Sequence, residues 1–246
     1  MIRWLDEHQP KLLSLIMLMI LATMYSLGFL SASLATLDTG PISAGGFRVI
    51  LASLFLLVVV RVTGVGLVKG AVMWRYAAIY GTVCMAVPFT ILPWTLTYLS
   101  NATAAIYFAV IPIEVLVLSW IFLGSPVSAR KWAGFAIASG GLIFLVLSGA
   151  KGAADTLAGP ELRADSDMPL WVPHLVCILT AICIAIGGVL FQKMPKASPV
   201  AITASALLIG NLIAVPAVLW SPPPAIPSPE GMFWVCLLYT SPSPRD

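Results

Sequence analysis

Hydrophobic runs of about 20 residues, the length that crosses the hydrocarbon core of a bilayer as a helix, recur seven times along this chain. They lie at 12–30, 41–60, 76–98, 103–123, 132–149, 171–191 and 199–220, and a further run starts at 231. In lipid, backbone N–H and C=O groups must be satisfied within the segment, so runs of this length predict helices. The expected fold class is therefore all-α and integral to the membrane. Composition removes the alternative: 60% of the residues are hydrophobic and 9% charged, whereas soluble domains carry about 25% charged residues. So few charges cannot coat a soluble globule of this length. Ser31-Ala32-Ser33 gives the first run a small-residue end like that of a signal peptide. Its length and the acidic flank of Asp6 and Glu7 favour a retained span.

The run boundaries are marked independently by Trp74, Trp120, Trp132, Trp171 and Trp220, because amphipathic rings settle at headgroup level. With the N-terminus inside, Arg3, Lys11, Arg61, Lys69, Arg75, Arg130, Lys131, Lys193 and Lys196 face the cytoplasm, and Lys151 and Arg163 face outward. The outer loops also hold Asp38, Asp155, Glu161, Asp165, Asp167 and Glu230. This positive-inside bias predicts a cytoplasmic N-terminus. It alternates at every loop, so one span more or fewer would scramble it. Cys84, Cys177, Cys183 and Cys236 lie in apolar runs without a C-x-x-C pair, and read as small core residues. His8 and His174 are isolated in sequence. No metal site and no cofactor are expected.

The longest loop, 150–170, is polar and acidic and separates five spans from the remainder. Across it, Gly40-Pro41-Ile42-Ser43-Ala44 opens the second span and Ser198-Pro199-Val200-Ala201 the seventh. Gly28 lies late in the first span, and Gly187-Gly188 late in the sixth. The matches share an offset near 158 residues. A repeat of five spans, an odd number, must invert its topology, and inverted repeats mark secondary transporters.

Several short motifs resemble one family. Thr39-Gly40-Pro41 leads into Ala44-Gly45-Gly46-Phe47-Arg48, and Leu99-Ser100-Asn101-Ala102-Thr103-Ala104-Ala105 leads into the fourth span. Ile111-Pro112, Ile121-Phe122-Leu123-Gly124, Trp132-Ala133-Gly134-Phe135 and Gly140-Gly141 follow. In this order they resemble an EamA unit of the drug/metabolite transporter superfamily, well over 12–150 and partially over 171–234. The resemblance implies an inverted repeat of five-helix units, ten spans in the full form, of which about seven and a half are present. It also implies a multi-pass protein of the bacterial cytoplasmic membrane that moves small metabolites without ATP. The family's usual Glu after the Leu-Gly that ends the fourth helix is Ser125 here, so that residue's role does not carry over.

The expected organisation is a first unit at 12–149, an outer loop at 150–170, and the start of a second unit at 171–239. In the last segment, Ser241-Pro242-Ser243-Pro244-Arg245-Asp246 breaks a half-built span. Residues 236–246 read as either a non-native tail or a genuine short terminus.

Two charged residues lie inside spans, Arg48 and Glu114. Counted from the outer side at 1.5 Å per residue, they sit roughly 10 Å and 16 Å deep. A charge there costs at least about 2.5–3.5 kcal/mol and persists only with a partner or a use. One reading places both on a central cavity. Arg48 then holds an anionic group of the substrate, and Glu114 binds a cationic group or a coupling proton. Burial disfavours the charged carboxylate, the property a proton-coupling site uses. The other reading is a fixed ion pair joining two neighbouring helices. The position matching Arg48 in the repeat is Ala206, so the charge is not duplicated.

Pro88, Pro93, Pro112 and Pro216 fall inside spans, where each removes a helical hydrogen bond and permits a kink. Trp94, Tyr98 and Tyr107 flank these positions and form candidate aromatic walls. Tyr25 and Asn211 are further polar candidates, with helix–helix adhesion the alternative for Asn211. The chain has no G-x-G-x-x-G, Walker loop or H-E-x-x-H. The expected function is a gradient-driven secondary transporter for a small metabolite or drug-like molecule. Its partners are the lipid bilayer, the small-molecule substrate and a proton or other coupling ion, with no nucleic acid. The rivals are an intramembrane enzyme and a non-transporting scaffold. Two ionisable residues within spans are too few for the usual catalytic set of such an enzyme.

Overall fold

A computed structural model describes residues 10–124, 128–147, 169 and 171–223. Every regular element among them is helical. The eighth apolar run, most of the 150–170 loop, Ser125 and the tail at 236–246 lie outside the described residues.

The first helix is α1, Pro10–Thr39, which continues nine residues past the end of its apolar run at 30. Its last turns are rich in Ser and Thr, which in sequence read as a helix end. Instead the hydroxyls bond back to the helix: Ser31 donates to Leu27 O at 2.7 Å, Thr36 to Ser33 O at 2.5 Å and Thr39 to Ala35 O at 2.8 Å. Back-bonding of this kind hides polar side chains within an apolar environment.

The second span, α2, covers Pro41–Thr63. Gly40 turns the chain at φ 79° just before Pro41, and Gly64 closes the helix at φ 68°. Both conformations are cheap only for glycine. The third span is built from α3 (Ala71–Ile79), a π-helical turn (Tyr80–Ala86) and α4 (Val87–Thr95). The N–H of Val87 reaches back five residues to Thr82 O. Pro88 follows in the first turn of α4, where it has no N–H to give back to the π turn.

The fourth span is also divided, into α5 (Asn101–Ala109) and α6 (Ile111–Leu123). Ser100 caps α5 by accepting from the Thr103 N–H at 3.1 Å, and Asn101 Nδ2 donates to Ser33 Oγ at 3.0 Å. The Leu99-Ser100-Asn101 motif thus starts one helix and ties it to α1. The remaining spans are α7 (Ala129–Leu147), α8 (Trp171–Lys193) and α9 (Pro199–Trp220). Five stretches among the described residues are long and apolar enough to cross a membrane: Pro41–Thr63, Ala71–Thr95, Thr103–Leu123, Trp171–Lys193 and Pro199–Trp220.

Packing follows small residues. The helices α2 and α9 run antiparallel: Ser43 Oγ donates to Ser221 O, and a side chain on Gly46 would collide with Ala214 and Val218. Gly81 in the π turn lies against the backbone of Ala206 in α9, and Gly187 of α8 against Cys84. A Cβ on Gly45 would stand 2.5 Å from Phe89 O, the carbonyl that Pro93 leaves without a helical donor. The π turn is therefore clasped between α8 and α9. Such backbone approach is how helices associate where lipid removes the hydrophobic drive.

The end carrying Arg61, Lys69, Arg75, Lys193 and Lys196 is common to α2, α3, α8 and α9. There the Val68 N–H donates to Ser205 Oγ at 3.1 Å, and Val68, Met73, Met194 and Ile202 share one cluster. Lys193 Nζ lies 6.0 Å from the Phe122 ring, which brings the end of α6 to the same side. Trp120 and Trp132 meet edge to face at 5.7 Å, while Trp171 and Trp220 stand strongly exposed.

Candidate functional site

The seam between span four and α8 carries polar groups at three levels. Toward the end away from the basic loops, Tyr107 Oη and His174 Nδ1 share a 2.9 Å hydrogen bond, their rings edge to face at 5.8 Å. Toward the basic end, Gln192 Nε2 donates to Ser119 Oγ at 3.3 Å. Between them is Glu114, in the first turn of α6 just past the break at Val110. It lies seven residues, two helical turns, from Tyr107. Its Oε2 is buried and has no hydrogen-bond partner among the described residues. Packing closes the seam on either side, with Ile111 and Ile184 packed on one apolar cluster and Val115 against Gly188.

The other candidates sit elsewhere in the bundle. Arg48 lies on α2, which packs on α1, α4 and α9, whereas α6 packs on α5 and α8. The two charged residues predicted to be within reach are thus borne by helices with different principal neighbours. The Arg48 guanidinium lies over the Phe89 ring at 4.3 Å, a cation–π contact worth about 2 kcal/mol when desolvated. Trp94 and Tyr98 stack at 5.0 Å at the end of span three. Pro93 and Pro216 are inside α4 and α9, while Pro88 and Pro112 stand at the starts of α4 and α6. Tyr25 lies within α1, and its side chain is outside the described residues.

Asn211 occupies the middle of α9, with Oδ1 buried and unpartnered among the described residues. At the 158-residue offset its counterpart is Ser53, fully buried on α2, with Oγ also unpartnered. Ser53 is two turns from Gly46, and Asn211 two turns from Val218, so the Gly46–Val218 contact sets them level on one seam.

The sequence model of the EamA-like transporter family matches residues 12–147, more than half the chain. The chain belongs to the EamA-like transporter family. Searches of curated proteins and of solved structures gave no match. As an EamA protein it is a multi-pass, all-helical membrane protein of a transporter type. The motif residues acquire physical roles in that frame: Gly40-Pro41 starts α2, Gly45-Gly46 admits α4 and α9, and Ser100 caps α5.

Sequence reasoning missed His174, set aside as isolated. Its partner is 67 residues away, a separation that only folding closes. Ser53 was missed for lack of any local mark, although the offset that pairs it with Asn211 was legible. Among the described residues no group of three His, Cys, Asp or Glu side chains forms a metal site.

Proposed function

We propose that this EamA protein is a secondary transporter that moves a small metabolite or drug-like molecule across a cytoplasmic membrane, driven by a gradient, with Glu114 as its coupling group. The supporting observation is the Glu114 carboxyl, whose buried Oε2 lies within span four without a hydrogen-bond partner. A carboxyl kept in hydrocarbon at this cost fits a group that exchanges a proton or meets a cationic substrate during the cycle. A fixed ion pair would instead satisfy its oxygens permanently. Arg48, steadied over Phe89, suits an anionic substrate group, and Trp94, Tyr107 and Tyr25 supply aromatic surface. The basic end faces the cytoplasm in this reading, with the N-terminus inside. Alternating access arises as one group of helices rocks against the other.

The test is accumulation in proteoliposomes under an imposed pH gradient, with a labelled panel of amines and amino acids. One-to-one coupling to a one-unit gradient supports accumulation of about tenfold. Glu114→Gln, of equal size, is expected to lose the gradient-driven accumulation while retaining exchange without a gradient. Full accumulation in the variant would overturn the assignment of Glu114. Absence of flux for the whole panel, in wild-type protein verified as folded, would favour the scaffold reading.

A further inference from the structure

We propose that Tyr107 and His174 form a titratable latch between span four and α8, which closes when His174 is neutral and opens when it is protonated. The latch goes beyond the transport reading and depends on it only for its meaning as a gate. In the closed form a single 2.9 Å hydrogen bond joins the two side chains. Behind it lies an apolar cluster that includes Phe108, Leu96, Leu99 and Cys177, with Tyr107 packed against it. His174 is half-buried, so part of its surface is open to an arriving proton.

Two physical terms act against an imidazolium at this place. It would put a full charge beside the apolar cluster. It lies in the first turn of α8, where the helix dipole is positive and repels a cation. The hydrogen bond itself does not decide the state, since the Tyr107 hydroxyl can donate to a neutral Nδ1 or accept from a protonated one. Hydration relieves both terms, and water reaches the ring if the seam parts. Against His174, α5 contributes Tyr107, and one turn on along α8 the Thr95 hydroxyl of α4 meets Cys177. Cys177 lies on α8 itself, and Glu114 is two turns away on α6. Histidine is the one of these whose ordinary pKa lies between pH 5 and 8, and Glu114 is the group to control for.

The test reads distance rather than flux, so its failure is separable from failure of the transport reading. Spin labels are attached at Ala105→Cys on α5 and Leu175→Cys on α8, both exposed positions, with the native cysteines replaced in a full-length background that retains its thermal unfolding profile. In nanodiscs, the label separation is expected to lengthen by about 2 Å or more between about pH 8 and pH 5. His174→Gln, which keeps a neutral partner for Tyr107, is expected to hold the short distance at both pH values. Tyr107→Phe, lacking the hydroxyl, is expected to broaden the distribution at the higher pH. Glu114→Gln is expected to keep the pH response. A wild-type protein with no pH response, or a response that survives in His174→Gln, would overturn the latch.

Discussion

Gly81→Leu is expected to prevent assembly of the bundle, seen as loss of the monodisperse peak in detergent and of membrane accumulation. A Cβ at this position would fall on the backbone of Ala206, which cannot swing aside as a side chain can. The clash sits where the π turn packs on α9, and Gly210, one turn further along the same helix, meets the same π turn, its own Cβ position 3.0 Å from Gly81 O and 3.2 Å from Ala86 Cβ. Separating these helices loosens the contact of α9 with span three and, through Ala86 and Leu207, the middle cluster. Overpacking a tight core costs about 1–3 kcal/mol and sometimes more. This site offers no relaxation, so the upper end applies. Gly28→Ala provides the contrast. Nothing lies within 4 Å of its Cβ position, and alanine is favoured over glycine in a helix by roughly 0.8–1 kcal/mol. A thermal midpoint equal to or above wild type is expected there. Equal tolerance of the two substitutions would show that span three and α9 do not approach as closely as the structure has them.

The contrast between these glycines shows what the sequence could and could not convey. Spans, order and the Gly40-Pro41 start were legible, because apolar length and helix-stop chemistry are local properties. The long tail of α1 was not, because Ser31, Thr36 and Thr39 look polar until their hydroxyls bond the preceding turn. Nor was the π turn: Pro88 announces a disturbed helix, but a kink, a break and a π turn share that mark. Gly81 and Gly28 are indistinguishable in sequence, since what separates them is a neighbour more than a hundred residues away. The candidate site divides similarly. Arg48 and Glu114 stood out as charges in apolar runs. Which helices they face, and the pairing of Tyr107 with His174, depend on how spans pack.

Asn211→Leu is expected to raise the thermal midpoint of the folded protein and to lower its transport rate. The two effects have one origin. Asn211 Oδ1 is buried at the middle of α9 without a partner, and leaving a polar atom so costs about 1–3 kcal/mol. Leucine has similar volume and removes the unmet group, so stability rises. Ser53→Ala on the facing helix acts by the same route, since the fully buried Ser53 Oγ is also unpartnered, and a gain of about 1 kcal/mol is expected there. Two such groups level with each other on the α2–α9 seam are hard to explain as adhesion, because adhesion requires the bond to be made. They fit a cycle in which the α2–α9 seam shifts and the groups meet a partner, either each other or a substrate, in another state. A static role predicts the reverse pattern: Asn211→Leu would lower the thermal midpoint and leave flux per folded molecule unchanged. Measuring both quantities on the same preparation separates the two, since a residue that destabilises the resting state while serving the moving one must shift them in opposite directions.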